Sequence, residues 1–186
     1  MKRRGSGLRF DTVSLSRPEN GAEGERYHPM KKASIIIIIL IISIVILFIV
    51  LGHISKSGKA AGLFEGELRK CPDKPNCVCS EQKDDTDHLI DPIIIPQNTA
   101  GDTLNILKET IIELGGEIKT DTGTYVSATF SSALFGFVDD LEIRIDSKQN
   151  VIHIRSASRV GYGDFGANMK RVELIKELFS KKAEVE

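Results

Sequence analysis

Residues 137–156 read FVDDLEIRIDSKQNVIHIRS. Through 137–146, Phe137, Leu141, Ile143 and Ile145 fall on one face, with Asp139 the exception. Asp140, Glu142, Arg144 and Asp146 fall on the other. Alternation with a period of two marks a strand that buries one side. Ser147-Lys148-Gln149-Asn150 is a four-residue turn, and 151–156 is the returning strand. If Asp146 pairs with Val151, Arg144 faces His153 and Glu142 faces Arg155. That register puts an ion pair and a histidine on the polar face, where His153 is expected to be solvated.

Working outward, 125–130 and 117–120 read as two more strands around Thr122-Gly123, with Val126, Ala128 and Phe130 on one face. Ile93-Ile94-Ile95 is expected as an edge strand before Pro96. Asp102 or Thr103 is placed to cap a helix carrying Leu104, Leu107, Ile111 and Leu114 on one side, and Gly115-Gly116 ends it. A last helix over 168–182 is expected to bury Leu174, Ile175, Leu178 and Phe179. A short helix is expected over 63–70, and 71–91 is turn-rich. An apolar sheet face needs cover, and two amphipathic helices supply it. The expected fold is α+β, a two-layer sandwich with a mainly antiparallel sheet.

Before this domain, residues 35–51 read IIIIILIISIVILFIVL, interrupted only by Ser43. With Ala33 and Leu51 as its ends, the segment spans roughly 28 Å as a helix, near the ~30 Å hydrocarbon core of a bilayer. A lone segment in lipid satisfies its backbone only as a helix. The chain is therefore expected to carry one transmembrane helix, over 33–54. The run exceeds the apolar core of a secretory signal, and the nearest cleavage candidate, Gly58-Lys59-Ala60, carries a lysine well past its end. An uncleaved anchor is favoured.

Lys31 and Lys32 abut the run, and Arg26, Lys31 and Lys32 outnumber Lys56 and Lys59 by one. This bias puts the N-terminus in the cytoplasm and the domain outside it, on the periplasmic side of a bacterial inner membrane. Residues 1–32 are expected to be a disordered basic tail, with Met30 a credible true start. Residues 55–70 are read as a linker, 71–182 as the domain and 183–186 as a tail.

Residues 1–32 hold eight Lys/Arg and four Asp/Glu, whereas 52–186 hold seventeen and twenty-two. An acidic domain argues against nucleic acid, which requires a basic patch. The expected partners are the lipid bilayer and an unknown protein or small anionic ligand.

Two constellations could carry chemistry. The first is CPDKPNCVCS, residues 71–80, followed by His88. Outside the cytoplasm, Cys71 and Cys77 are expected to oxidise to a disulfide. The alternative is a zinc site on Cys71, Cys77, Cys79 and His88, although their spacing is not that of a zinc knuckle. The second is RSASRVGYGDFGANMKR, residues 155–171. Its arginines, with glycines before a helix start, can bind an anion. Alternatively, Arg155, Arg159 and Arg171 pair with Asp139, Asp140 and Glu142 in a structural network. Ser156, Ser158, Tyr162, Asp164 and Asn168 belong to the same candidate site, with Asp164 placed to cap the last helix. Asp139 and Asp140 are neighbours on a strand, so they point to opposite faces and form no dyad. A CxxC pair, a phosphate loop and HExxH are all absent from the sequence.

These segments, together with HLIDPI at 88–93 and GFVDDLE at 136–142, resemble the domain of unknown function 1499 family. Its members carry CPxxPNCVxS, HxIxPI, GFVDDxE and RSASRxGYxDxGxNxxR. The likeness covers roughly 71–178, and Cys79 departs from it where the family usually has serine. The resemblance implies a membrane-associated or exported α+β domain and brings no assigned activity, cofactor or catalytic residue.

Three functions compete on these residues. The leading one is a membrane-anchored binding or accessory domain in an envelope process. The second is a hydrolase-type enzyme using His88 or His153 with Asp139, Asp140 and the 155–171 segment. The third is a thiol or metal protein built on the cysteines.

Overall fold

The computed structural model describes residues 29–96 and 102–185. The basic tail up to residue 28 lies outside the described residues. The described residues fall into two units, one ending at Ile39 and the other beginning at Leu40.

Helix α1 runs Pro29–Lys56. It begins earlier than the 33–54 segment expected to span the membrane and continues past its end. Proline suits the first turn of a helix, because its missing N–H would have no partner there. Residues 32–56 are long and apolar enough to cross a membrane.

The remaining elements are β1 (Leu63–Phe64), β2 (Glu67–Leu68), β3 (Cys77–Cys79), β4 (Ile93–Ile94), α2 (Thr103–Glu113), β5 (Glu117–Asp121), β6 (Tyr125–Ser131), β7 (Val138–Asp146), β8 (Val151–Ser158) and α3 (Ala167–Val185). The main sheet is ordered β3-β8-β7-β6-β5, with β4 also on β8. All of its strand pairs are antiparallel. Asp146 pairs with Val151, Arg144 with His153 and Glu142 with Arg155, the register the alternation predicts. The turn is closed by Asp146, whose Oδ1 accepts the Lys148 and Gln149 amides at 3.0 Å each, and by Asn150 at φ 56°.

One sheet face carries the apolar core. Ile106, Leu107 and Ile111 of α2, and Val172, Ile175, Phe179 and Ala183 of α3, pack on Val126, Leu141, Ile143, Ile152 and Ile154. The α+β sandwich is therefore as expected, but the α3 stripe is rotated. Leu174 is exposed, while Val172 and Ala183 are buried. The helix also continues through 183–185, where a tail was expected.

The opposite face differs from expectation. It is not a solvated polar surface but is covered by the chain between α1 and β3. Residues 63–70 form no helix. β1 and β2 are an antiparallel hairpin whose Leu68 is fully buried with Tyr125 and Ala157. The turn-rich stretch contains β3, which pairs Cys77 with Ala157 and Cys79 with Arg155. Cys71 and Cys77 form a disulfide, and Cys79 is free and buried.

A disulfide closing so short a loop contributes about 2 kcal/mol on the chain-entropy model. Dithiothreitol is expected to lower the unfolding free energy by that amount in a denaturant titration. A thiol assay in denaturant should count one cysteine before reduction and three after.

Candidate functional site

On the covered face β7 presents Asp140, Glu142, Arg144 and Asp146, and β8 presents His153 and Arg155; their partners come from the cover and from one another. Glu142 has 0% exposure. Its Oε1 accepts the Gly62 amide at 2.6 Å and the Tyr125 hydroxyl at 2.8 Å, and its Oε2 accepts Arg155 Nη1 at 2.6 Å. Burial, reinforced by the Glu142 charge, pushes the Tyr125 phenol far above its ordinary pKa, so it remains a donor. Arg144 is bound by Glu81 and by Asp146, and Glu81 also accepts the Leu68 amide at 2.7 Å. His153 is buried rather than solvated, with its Nδ1 3.4 Å from Ser80 Oγ.

Arg159 joins this face to α1. Its Nε and Nη2 donate to the two Asp140 oxygens at 2.9 and 2.7 Å. Its Nη1 donates to the Ser55 and Lys56 carbonyls at 3.1 and 3.4 Å. A helix ends with unsatisfied carbonyls and a partial negative charge, so a guanidinium there supplies both donors and charge. Ser55 Oγ donates to the Gly52 carbonyl at 2.7 Å and accepts the Val138 amide at 3.1 Å. Gly52 is so close to the Phe135 backbone that an added Cβ would overlap it. Residues 52–56 are thus built into the domain, and so is much of the stretch 55–70 expected as a linker: Gly62 bonds Glu142 and the β1–β2 hairpin packs on the sheet.

Beside this junction lies a cleft of about 460 Å³ lined by Lys56, Gly58, Lys59, Ala60, Gly62, Lys119, Thr120, Tyr125, Ser127, Asp140 and Arg159. Lys56, Lys59 and Lys119 extend into solvent around it, while Asp140 is committed to Arg159.

Asp139 points to the helix face, where Arg171 Nη2 donates to it at 2.6 Å. Arg171 Nη1 also donates to Ser156 Oγ at 3.0 Å and Asn168 Oδ1 at 2.5 Å, and its guanidinium stacks over Phe130. Asn168 Nδ2 reaches Ser158, Asp164 and the Asn76 carbonyl. Asp164 accepts the Gly166 and Asn168 amides at 3.0 and 2.8 Å. It thereby occupies the place an anion would take at that helix start. Tyr162 is exposed.

The three arginines therefore serve three different acids on two faces of the sheet, and the segment forms no single anion pocket. The cysteine and histidine residues do not join it. Cys71 and Cys77 are consumed by their disulfide and cannot act as thiolate ligands. Burial pushes the Cys79 thiol above its ordinary pKa, away from the reactive thiolate. His88 Nδ1 meets Asp85 at 2.7 Å, and its Nε2 meets the Lys74 carbonyl at 2.9 Å. Among the described residues, no group of three or more His, Cys, Asp or Glu is arranged to hold a metal ion. The four-ligand zinc site is not assembled. Nor are His88, His153, Asp139 and Asp140 brought to one cleft as hydrolytic chemistry would require.

Sequence reasoning passed over Gly52, Ser55, Gly62, Glu81 and Tyr125. The one signal available was a Gly and a Ser, three apart, at the end of an apolar helix, a pattern that permits close backbone approach.

The sequence model of a family described as "Protein of unknown function (DUF1499)" matches residues 67–179. No curated protein and no solved structure matches the chain.

Removing one member of a buried ion pair leaves the other without compensation, at a cost of about 3–5 kcal/mol. Arg155→Ala is expected to destabilise the domain by that amount in denaturant unfolding of the full chain in detergent. His88 yields a pH effect. The Asp85 hydrogen bond, helped by the Lys74 carbonyl and opposed by burial, raises its pKa. Its contribution is complete below the unfolded value of about 6.5 and is lost as pH rises through the folded value. The unfolding free energy should therefore decline above about pH 6.5, and His88→Gln should flatten that decline.

Proposed function

The chain belongs to the DUF1499 family, and on that premise we propose that it is a single-pass membrane protein whose extracytoplasmic domain is a binding or accessory module in an envelope process. α1 is the uncleaved anchor, the N-terminus is cytoplasmic, and the domain stands on the periplasmic side of a bacterial inner membrane. The cleft beside Arg159 receives a small anionic group or an acidic segment of a partner protein.

The observation that carries this reading is the bonding of the α1 end by Arg159, Ser55 and Gly52. A disposable signal sequence has no reason to contribute its last turn to the folded domain. Cleavage near Ala60 would also strip Arg159 of two acceptors. The Cys71–Cys77 disulfide supports the extracytoplasmic side, where thiols oxidise. The three lysines around the cleft support an anionic ligand.

The test places a single reporter at Lys148→Cys, on an exposed turn, in a Cys79→Ser background. Intact cells should label with a membrane-impermeant maleimide. The labelled chain should keep its full mass and stay in the membrane fraction through alkaline carbonate. Labelling only after permeabilisation would place the domain in the cytoplasm. A product shortened to about Ala61 would remove the anchor.

A further inference from the structure

We infer that the two loops at the α1 end of the sheet, 132–137 and 159–166, enter the headgroup–acyl boundary of the bilayer beside the anchor. The bilayer itself is thus a second ligand of the domain. This rests on the reading of α1 as a membrane span.

The strand register puts both loops at one end. Ser131 pairs with Val138, and Asp139 pairs with Ser158, so the β6–β7 and β8–α3 connections leave the sheet together. This end carries large apolar and aromatic side chains with nothing over them. Leu134 is 81% exposed, Tyr162 72% and Phe165 fully. Phe165 holds φ 54°, a conformation unusual for a bulky residue, and in it the ring is turned away from the domain. The opposite end of the same strands has turns made of Thr122, Gly123 and Ser147-Lys148-Gln149-Asn150. These turns carry no large apolar residue, and on β4 beside them Ile94 is exposed singly, which is ordinary. One end of the sheet is therefore suited to water and the other is not.

Depth is set by an aromatic stack. The Phe135 ring lies on Phe48 of α1 with centroids 5.2 Å apart, and Phe137 meets Phe48 edge-on at 6.1 Å. Phe48 lies three residues before Leu51, where the apolar run ends. At the helical rise this is roughly 4.5 Å on the hydrocarbon side of that end. Leu134, adjacent to Phe135, is held at the same level. The junction cannot slide away, because Gly52 touches the Phe135 backbone and Ser55 holds the Val138 amide. Tyr162 and Phe165 on the second loop at that end, with Lys56 and Lys59 past the apolar run, make up the composition that settles at a membrane interface. A protein partner for this patch would have to reach it at the depth of Phe48, where the anchor's own lipid shell lies.

The test uses the full chain in a Cys79→Ser background, reconstituted into phosphatidylcholine–phosphatidylglycerol vesicles. A polarity-sensitive fluorophore is attached singly at Leu134→Cys, Phe165→Cys or Lys148→Cys. The first two labels are expected to shift to the blue and to lose about half their emission when the lipids are brominated near the top of the acyl chains. The Lys148→Cys label should not change. If the chain survives alkaline extraction while the first two labels remain open to aqueous iodide, the loops lie off the bilayer and the inference fails, although the anchor stands. Labels shielded from iodide yet indifferent to brominated lipid would assign the patch to a protein partner and overturn it equally. Release of the chain by alkali would remove the anchor and the inference with it.

Discussion

A carboxylate without access to water needs fixed donors, because its ionised form costs several kcal/mol in a low-dielectric interior. Glu142 is that carboxylate, and its three donors come from three places: the strap after α1 (Gly62), strand β6 (Tyr125) and strand β8 (Arg155). Two residues earlier on the same face, Asp140 holds Arg159, which holds the last carbonyls of α1. The spacing is matched on both sides. Acids two apart on β7 meet arginines four apart across β8 and the start of its following loop. One end of this ladder fixes the cover, and the other fixes the helix.

The sheet is consequently buried on both faces by different means. Its helix side is a conventional apolar core. Its other side is a layer of paired charges under a hairpin, a disulfide loop and the Glu81 segment. A strand buried on two faces usually reads as a continuous apolar run. β7 and β8 alternate instead, because ion pairs with extra hydrogen bonds take the place of apolar contacts on one side. Such a layer contributes less net stability than an apolar one, but its fixed partners tolerate few alternative arrangements.

What the sequence revealed follows from this. The β7–β8 register was legible because period-two alternation and a four-residue turn leave one pairing that keeps Leu141, Ile143, Ile152 and Ile154 together. The burial of the polar face was not legible, since alternation says which residues share a side and nothing about what lies over it. The cover is built from two-residue strands and turns, too short for any period, so 63–70 passed for a helix and His153 for a solvated residue. α3 shows a finer limit. Leu174 looked like core by residue type, whereas position on the helix gave that role to Val172 and Ala183. The docking of α1 rests on Gly52, read as part of the apolar span, and Ser55, read as the start of a linker, and both serve close contact.

The free edge of the main sheet, β5, reads EIKTD and is mostly exposed. Its pairing with β6 shifts register between Ile118 and Thr120, and Lys119 points outward beside Glu117. Charge and a bulge at an edge obstruct the addition of a foreign strand. Under the proposed anchoring by α1 this matters more than for a chain free in solution. Copies held in a plane with one orientation meet edge to edge at high local concentration. A straight apolar β5 would template sheet-to-sheet growth across the membrane surface, whereas an irregular, charged β5 lets neighbouring copies crowd together without polymerising.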